Sequence, residues 1–285
     1  MFDPREGIFL RVYDPIVKYL ENPLLEADAV YFPGEEVVFT VVKQSPHSWG
    51  EQNWLETAWV FPEEIRLLAS VVLSLPEGLG TLPFAPYGYQ LRLNIGNEEL
   101  SNLEFIQRVK PQAIQYARKI YGEEVCYQLR KANTSGEEFQ RVLYNGIDVG
   151  DALLIRGLSC LLKSQHLMAV KCKAFCEDAF INVQIACEGA LQIIRRLLRA
   201  RSGEPASYDN AYEYIQQNFQ MGSAFVTYLK EQYDKWIMVK HPESRWGVFW
   251  YPPLLADDFF EMYESLVSIY RHLISGEPGG ELTLV

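Results

Sequence analysis

The chain has 285 residues, 48% of them hydrophobic, and 37 acidic against 26 basic side chains give a formal charge of −11. That length suits one large domain or two, the apolar fraction suits a packed core, and the acidic balance argues against a dedicated non-specific nucleic-acid binder. The charge is uneven, with 13 basic and 21 acidic side chains in residues 1–150 but 13 and 16 in residues 151–285, so a local basic patch stays open in the second half. No apolar run approaches the roughly 20 residues that span a bilayer. The start, with Asp3, Arg5 and Glu6 ahead of a short apolar stretch, does not read as a secretion signal. The expectation is a soluble cytoplasmic protein without membrane contact.

The first hundred residues are rich in Pro, Gly and aromatics. Residues 8–13, 37–42, 69–75 and 89–95 have the apolar and β-branched content of strands, and residues 90–95 alternate as a half-buried strand should. Pro33-Gly34 and Pro76-Glu77-Gly78 are turn signals, and Pro62-Glu63-Glu64 opens a short helix. Trp49, Trp54 and Trp59, beside Glu51 and Glu56, read either as an aromatic ligand platform or as anchors of a loop, and anchoring is the preferred reading.

From Asn102 the period becomes helical, with Phe105, Val109, Ala113, Tyr116 and Ile120 in one stripe ended by Gly122. Ser135 begins an undecided stretch up to Gly150, and residues 152–168 read as helix. The best-marked helix runs from about Cys172 to Arg201. Ala179, Val183, Ala186, Ala190, Ile194 and Leu197 form its inner face, and Gly203 and Pro205 end it. Arg195, Arg196, Arg199 and Arg201 crowd its end, either as a surface for RNA or anionic membrane or, preferentially, as cations matched to the helix dipole.

Three further helices are expected. One is capped by Ser207 or Asp209 and runs to Phe219. The second covers Ser223 to about Lys240, with Phe225, Leu229, Tyr233, Trp236 and Ile237 inward. The third is pre-set by Pro252-Pro253 and buries Leu255, Phe259, Met262, Leu266, Ile269 and Leu273. Residues 275–280 are expected to fray.

Of the cysteines, Cys126, Cys160, Cys172, Cys176 and Cys187, the pair Cys172 and Cys176 shares a helix face. Half of a metal site is one reading. Two thiols in a reducing cytosol is the preferred one, because His166 completes no zinc spacing. There is no Walker loop, Rossmann glycine fingerprint, His-Glu-x-x-His or Gly-x-Ser-x-Gly elbow, and Ser159 lies inside a helical run. No metal and no cofactor is expected. A metal-free nuclease, which needs only one acid/base group and one cation, stays open.

Three passages resemble the HEPN superfamily of helical-bundle domains. They are the helix from Glu177-Asp178-Ala179-Phe180 through Ala186-Cys187-Glu188-Gly189-Ala190-Leu191, the helix ending Lys240-His241-Pro242, and Trp250-Tyr251-Pro252-Pro253 leading into Asp257-Asp258-Phe259. The resemblance implies an Arg and a His that cleave RNA without metal, the His exchanging a proton and the Arg holding phosphate. It also implies a site formed where two domains meet. His241 falls at the family's His position, while the expected Arg is replaced by Lys235, Trp236 and Ile237, a degraded motif. Lys235 supplies a point charge rather than a bidentate fork, with Asp234 beside it. His241 otherwise reads as a helix C-terminal histidine facing carbonyls. Glu188 reads as a cross-bundle acceptor or an exposed acid, and Arg245 lies off the family spacing.

The expected fold class is α+β, mainly α-helical. A mixed strand-bearing region at 1–100 precedes an α-helical bundle at 101–285, which is HEPN-like over about 172–275. The expected function is a non-catalytic or weakly catalytic binding module. It forms a homodimer through the helical half and contacts a protein partner through the acidic first half, and RNA is disfavoured by net charge. The alternative is a metal-independent ribonuclease of defence or toxin type using His241 with Lys235 as the catalytic pair.

Overall fold

Helices dominate the described residues, and their spacing follows the apolar stripes. The computed structural model describes residues 7–13, 38–43, 61–74, 91–94, 135–169, 176–240 and 256–284. The chain divides into two compact units. One is Met1–Ser74 with Leu82–Arg141, and the other is Leu75–Thr81 with Val142–Val285.

In the first unit, β1 (Gly7–Tyr13) lies between β2 (Val38–Lys43) and β3 (Leu91–Asn94) in an antiparallel sheet, with Ile8 opposite both Lys43 and Leu93. Helix α1 (Phe61–Ser74) packs on β2. The strand expected at residues 69–75 is corrected here, because through Ser74 these residues continue α1. Ile65, Ala69, Val72 and Leu73 are buried, a spacing that fits one face of a helix and not alternate faces of a strand. Tertiary burial on one side overrides the β-branched content of Val71 and Val72.

The second unit is a helical bundle. The undecided stretch after Ser135 is α2 (Ser135–Gly146), which begins in the first unit and ends in the second, and it is followed by α3 (Ala152–Ala169), α4 (Cys176–Ser202), α5 (Tyr208–Asn218), α6 (Gly222–Lys240) and α7 (Ala256–Ser275). Three of the helix ends show their physical cause. The Asp151 carboxylate accepts from the backbone N–H of Leu153 (3.2 Å) and Leu154 (3.3 Å), capping α3. Ser207 and Asn210 form a reciprocal capping box on α5. Gly203, with φ of 77°, ends α4 and donates its N–H to the Arg199 carbonyl at 2.8 Å.

Helix α4 is the hub, packing on α3, α5, α6 and α7. Ala179, Val183, Ala186, Ala190 and Ile194 of its expected inner face are buried, while Leu197 is half-buried. On α7, Phe259, Met262, Leu266 and Ile269 are buried and Leu273 is half-buried. The α3–α4 contact is set by small residues. A Cβ on Gly189 would sit 3.3 Å from the Gly157 Cα, so the two backbones nearly touch. The Tyr270 ring from α7 fills the adjoining space, fully buried, and its hydroxyl donates to the Ala186 carbonyl at 2.7 Å. A Cβ on Gly157 would stand 2.1 Å from that hydroxyl oxygen.

The expected fraying after Ser275 is also corrected. Gly276, with φ of 71°, turns the chain out of α7, and residues 277–284 run back along the α5–α6 connection. Gln220 pairs with Glu281 in a parallel bridge, and Leu282 is fully buried. One buried leucine and a backbone bridge hold a segment whose composition alone suggests a loose end.

The expected helix at 102–122 and Trp49, Trp54, Trp59, Cys126, Cys172, His241, Arg245 and residues 250–253 lie outside the described residues.

The Gly157–Tyr270 contact leads to a first expected outcome. Gly157→Ala lowers stability by about 1–3 kcal/mol through overpacking, and Tyr270→Phe by about 1 kcal/mol through the lost hydrogen bond. The double variant is less destabilised than the sum, since removing the hydroxyl relieves the clash. Urea unfolding of the four proteins checks this, and strict additivity would refute the contact.

Candidate functional site

Two of the four arginines at the end of α4 are held by contacts within the fold. Arg196 forms a two-pronged pair with Asp151, one Nη donating to Oδ1 at 3.0 Å and the other to Oδ2. This pair ties the start of α3 to α4, and the Arg196 hydrogen bond holds the Asp151 carboxyl below the usual range, against the opposing effect of burial. Arg195 donates from Nε to the Ala206 carbonyl (2.8 Å) and from Nη1 to Gln192 Oε1 (3.0 Å), and it stacks over Tyr208 at 4.5 Å. It therefore pins the α4–α5 connection. Arg199 and Arg201 are exposed.

Arg201 borders a depression of about 440 Å³ between the end of α4 and α5, with Glu204, Asn210, Glu213, Tyr214 and Gln217 around it. On α5 these residues recur at helical spacing, so one face of the helix supplies that wall. A guanidinium and two carboxylates border the same hollow, and its volume lies within the range of small-ligand sites.

At the wall, the Tyr214 hydroxyl meets His272 Nε2 at 2.6 Å. The other ring nitrogen, Nδ1, is hydrogen-bonded to the Glu277 carbonyl. A carbonyl only accepts, so Nδ1 carries the proton, and in the neutral ring Nε2 accepts from Tyr214. Phe219 packs edge-on to the imidazole, with centroids 5.1 Å apart. Burial raises the Tyr214 pKa, opposed by Arg201, so the phenol stays protonated near neutrality.

Cys160, Cys187 and Ser159 are buried in the bundle. Burial pushes the Cys187 thiol up to about 12 and also raises Cys160. Both lie near the Tyr270 hydroxyl, whose pKa is raised chiefly by burial. Ser159 is buried, and its hydroxyl has no hydrogen-bond partner among the described residues. Among the described residues no group of three or more His, Cys, Asp or Glu side chains is arranged to hold a metal ion. No described helix is long and apolar enough to cross a membrane.

Lys235 falls within α6, but its side chain, like His241, lies outside the described residues, so the expected pair has no geometry here. Glu188 is exposed, 3.5 Å from the Tyr208 hydroxyl. Sequence reasoning did not find the Tyr214–His272 pair. The two residues are 58 positions apart, and each looks like an ordinary member of its own helix. Comparison with protein-family models, curated proteins and solved structures found no match for this chain.

Two outcomes follow from these environments. Because its folded pKa is depressed, Asp151 contributes stability above the pH of an unfolded aspartate, about 4, and the contribution fades as pH falls towards the folded value. Asp151→Ala therefore lowers stability by about 1 kcal/mol at pH 7, mainly as a lost cap, with the gap to wild type shrinking below about pH 4. The exposed ion pair adds little, since the Arg196 side chain is 53% accessible. Thermal melts across pH test this. In addition, Cys160 and Cys187 resist iodoacetamide in the folded protein and react once it is denatured, as peptide mass mapping would report.

Proposed function

We propose that this protein acts by binding, as a HEPN-like helical bundle that is non-catalytic or weakly catalytic and pairs with a second copy through its helical half. The acidic first half then contacts a protein partner, in a chain of α+β class with a strand-bearing region ahead of the bundle in sequence. The reading has the protein working in the cytoplasm, in keeping with the buried, unbridged thiols at Cys160 and Cys187.

One observation carries the preference for binding over catalysis. His272, the imidazole that meets the wall residue Tyr214, has both ring nitrogens engaged within the fold, one by Tyr214 and one by Glu277. A general acid or base needs a nitrogen within reach of the reacting proton. Meanwhile Arg201, Glu204 and Glu213 border the hollow with charges of both signs, suited to holding a polar ligand.

The test combines sedimentation equilibrium at micromolar concentration with incubation of end-labelled RNA in excess EDTA, alongside His241→Ala and Lys235→Ala. The expected result is a dimer that leaves RNA intact. A monomer removes the dimerisation part. RNA cleavage that disappears in His241→Ala replaces the binding reading with a metal-independent ribonuclease in which Lys235 holds the phosphate.

A further inference from the structure

Residues 277–284 are ordered by few interactions. The Gln220 N–H donates to the Gly280 carbonyl and the Leu282 N–H to the Gln220 carbonyl, both at 3.2 Å. Ser265 donates to the Thr283 carbonyl at 3.2 Å, and the Leu282 side chain is fully buried. A Cβ on Gly279 would fall 2.2 Å from the Asn218 carbonyl oxygen, so the backbone runs directly against the end of α5. Against this stands the conformational entropy of fixing the whole segment, which follows Gly276 and includes Gly279 and Gly280. Docking therefore depends on whatever orders its first residues.

That ordering comes from His272. Its Nδ1–H holds the Glu277 carbonyl, and the Glu277 N–H donates to the Ser275 hydroxyl at 3.1 Å. The imidazole offers Nδ1–H in the right direction only while Nε2 is engaged by the Tyr214 hydroxyl and Phe219 braces the ring. Tyr214 also forms part of the wall beside Arg201. We infer that residues 277–284 are a latch whose docking is controlled from that wall through the chain Tyr214 hydroxyl, His272 ring, Glu277 carbonyl. A group in the hollow that draws the Tyr214 hydroxyl to itself releases Nε2 and loosens the latch, and by linkage an undocked latch alters what the hollow holds. The latch does not rest on the binding reading, since it concerns contacts within the chain.

The test is amide hydrogen exchange on the full chain, read at Gln220 and Leu282, whose N–H groups are protected by the latch itself. Tyr214→Phe keeps the ring and removes the hydroxyl. It is expected to speed exchange at these two amides about tenfold, as losing one hydrogen bond's worth of local stability implies, and to leave Ile194 in α4 at its wild-type rate. His272→Phe gives the same pattern. Gln217→Ala, at the same wall but outside the chain of hydrogen bonds, leaves both amides unchanged. Wild-type exchange at Gln220 and Leu282 in Tyr214→Phe overturns the inference. So does equal acceleration at Ile194, which marks general destabilisation, or acceleration in Gln217→Ala, which marks a wall effect without the relay.

Discussion

The bundle depends on how a tyrosine hydroxyl is accommodated where two helices nearly touch. Burying a hydroxyl without a partner costs several kcal/mol in an apolar medium, and Tyr270 meets that demand through the Ala186 carbonyl. The carbonyl is reachable because Gly157 and Gly189 leave no side chain in the way, so α3 and α4 close to backbone contact with the ring filling the remaining gap. The arrangement fixes the spacing of α3, α4 and α7 together. It also encloses Cys160 and Cys187 in surroundings where a thiolate is strongly disfavoured, so these thiols behave as small apolar groups.

Around that core, the polar end of α4 is built by dividing a cluster of like charges. Four arginines close in sequence would repel if all pointed together. Arg196 reaches across to Asp151 at the start of α3, and Arg195 turns to the α4–α5 connection and lies over Tyr208. The same Asp151 carboxylate caps α3 and anchors Arg196, so one side chain joins the start of one helix to the C-terminal part of the hub. Arg201 is thereby left at the rim of the hollow with Glu204 and Glu213, a mixed-charge border suited to a polar ligand rather than to a long polyanion.

The far wall of the hollow is continuous with the segment after α7. Tyr214 belongs to the wall, His272 to the last turn of α7 and Glu277 to the returning chain, and two hydrogen bonds link them. The imidazole suits this place because, once neutral, it has one donor and one acceptor on opposite sides of a rigid ring. The tyrosine hydroxyl gives and the backbone carbonyl receives, which leaves a single tautomer compatible with both neighbours.

Much of the bundle could be read from periodicity, because a helix that buries one face must repeat apolar residues every three to four positions. The stripes of α4 and α7, the cap at Ser207 and the glycine stop at Gly203 are all local patterns in the chain. Local pattern failed where burial came from elsewhere. Residues 69–74 have strand-like composition, yet they continue α1 because only a helical turn brings Ala69, Val72 and Leu73 to one buried side. The segment after Ser275 looks loose, yet it is held by a bridge to Gln220 and a pocket for Leu282 that only the folded α5–α6 connection supplies. Gly157 passes unnoticed in the run Gly157-Leu158-Ser159-Cys160, since its importance lies in a tyrosine 113 positions later. The sequence by itself determined the stop of α4, the start of α5 and the buried stripes of α4 and α7, because capping and amphipathicity act over a few residues. Only the tertiary structure decided which arginines are committed, which hydroxyl meets which histidine and where the hollow opens, because those depend on contacts between side chains that the chain keeps far apart until it folds.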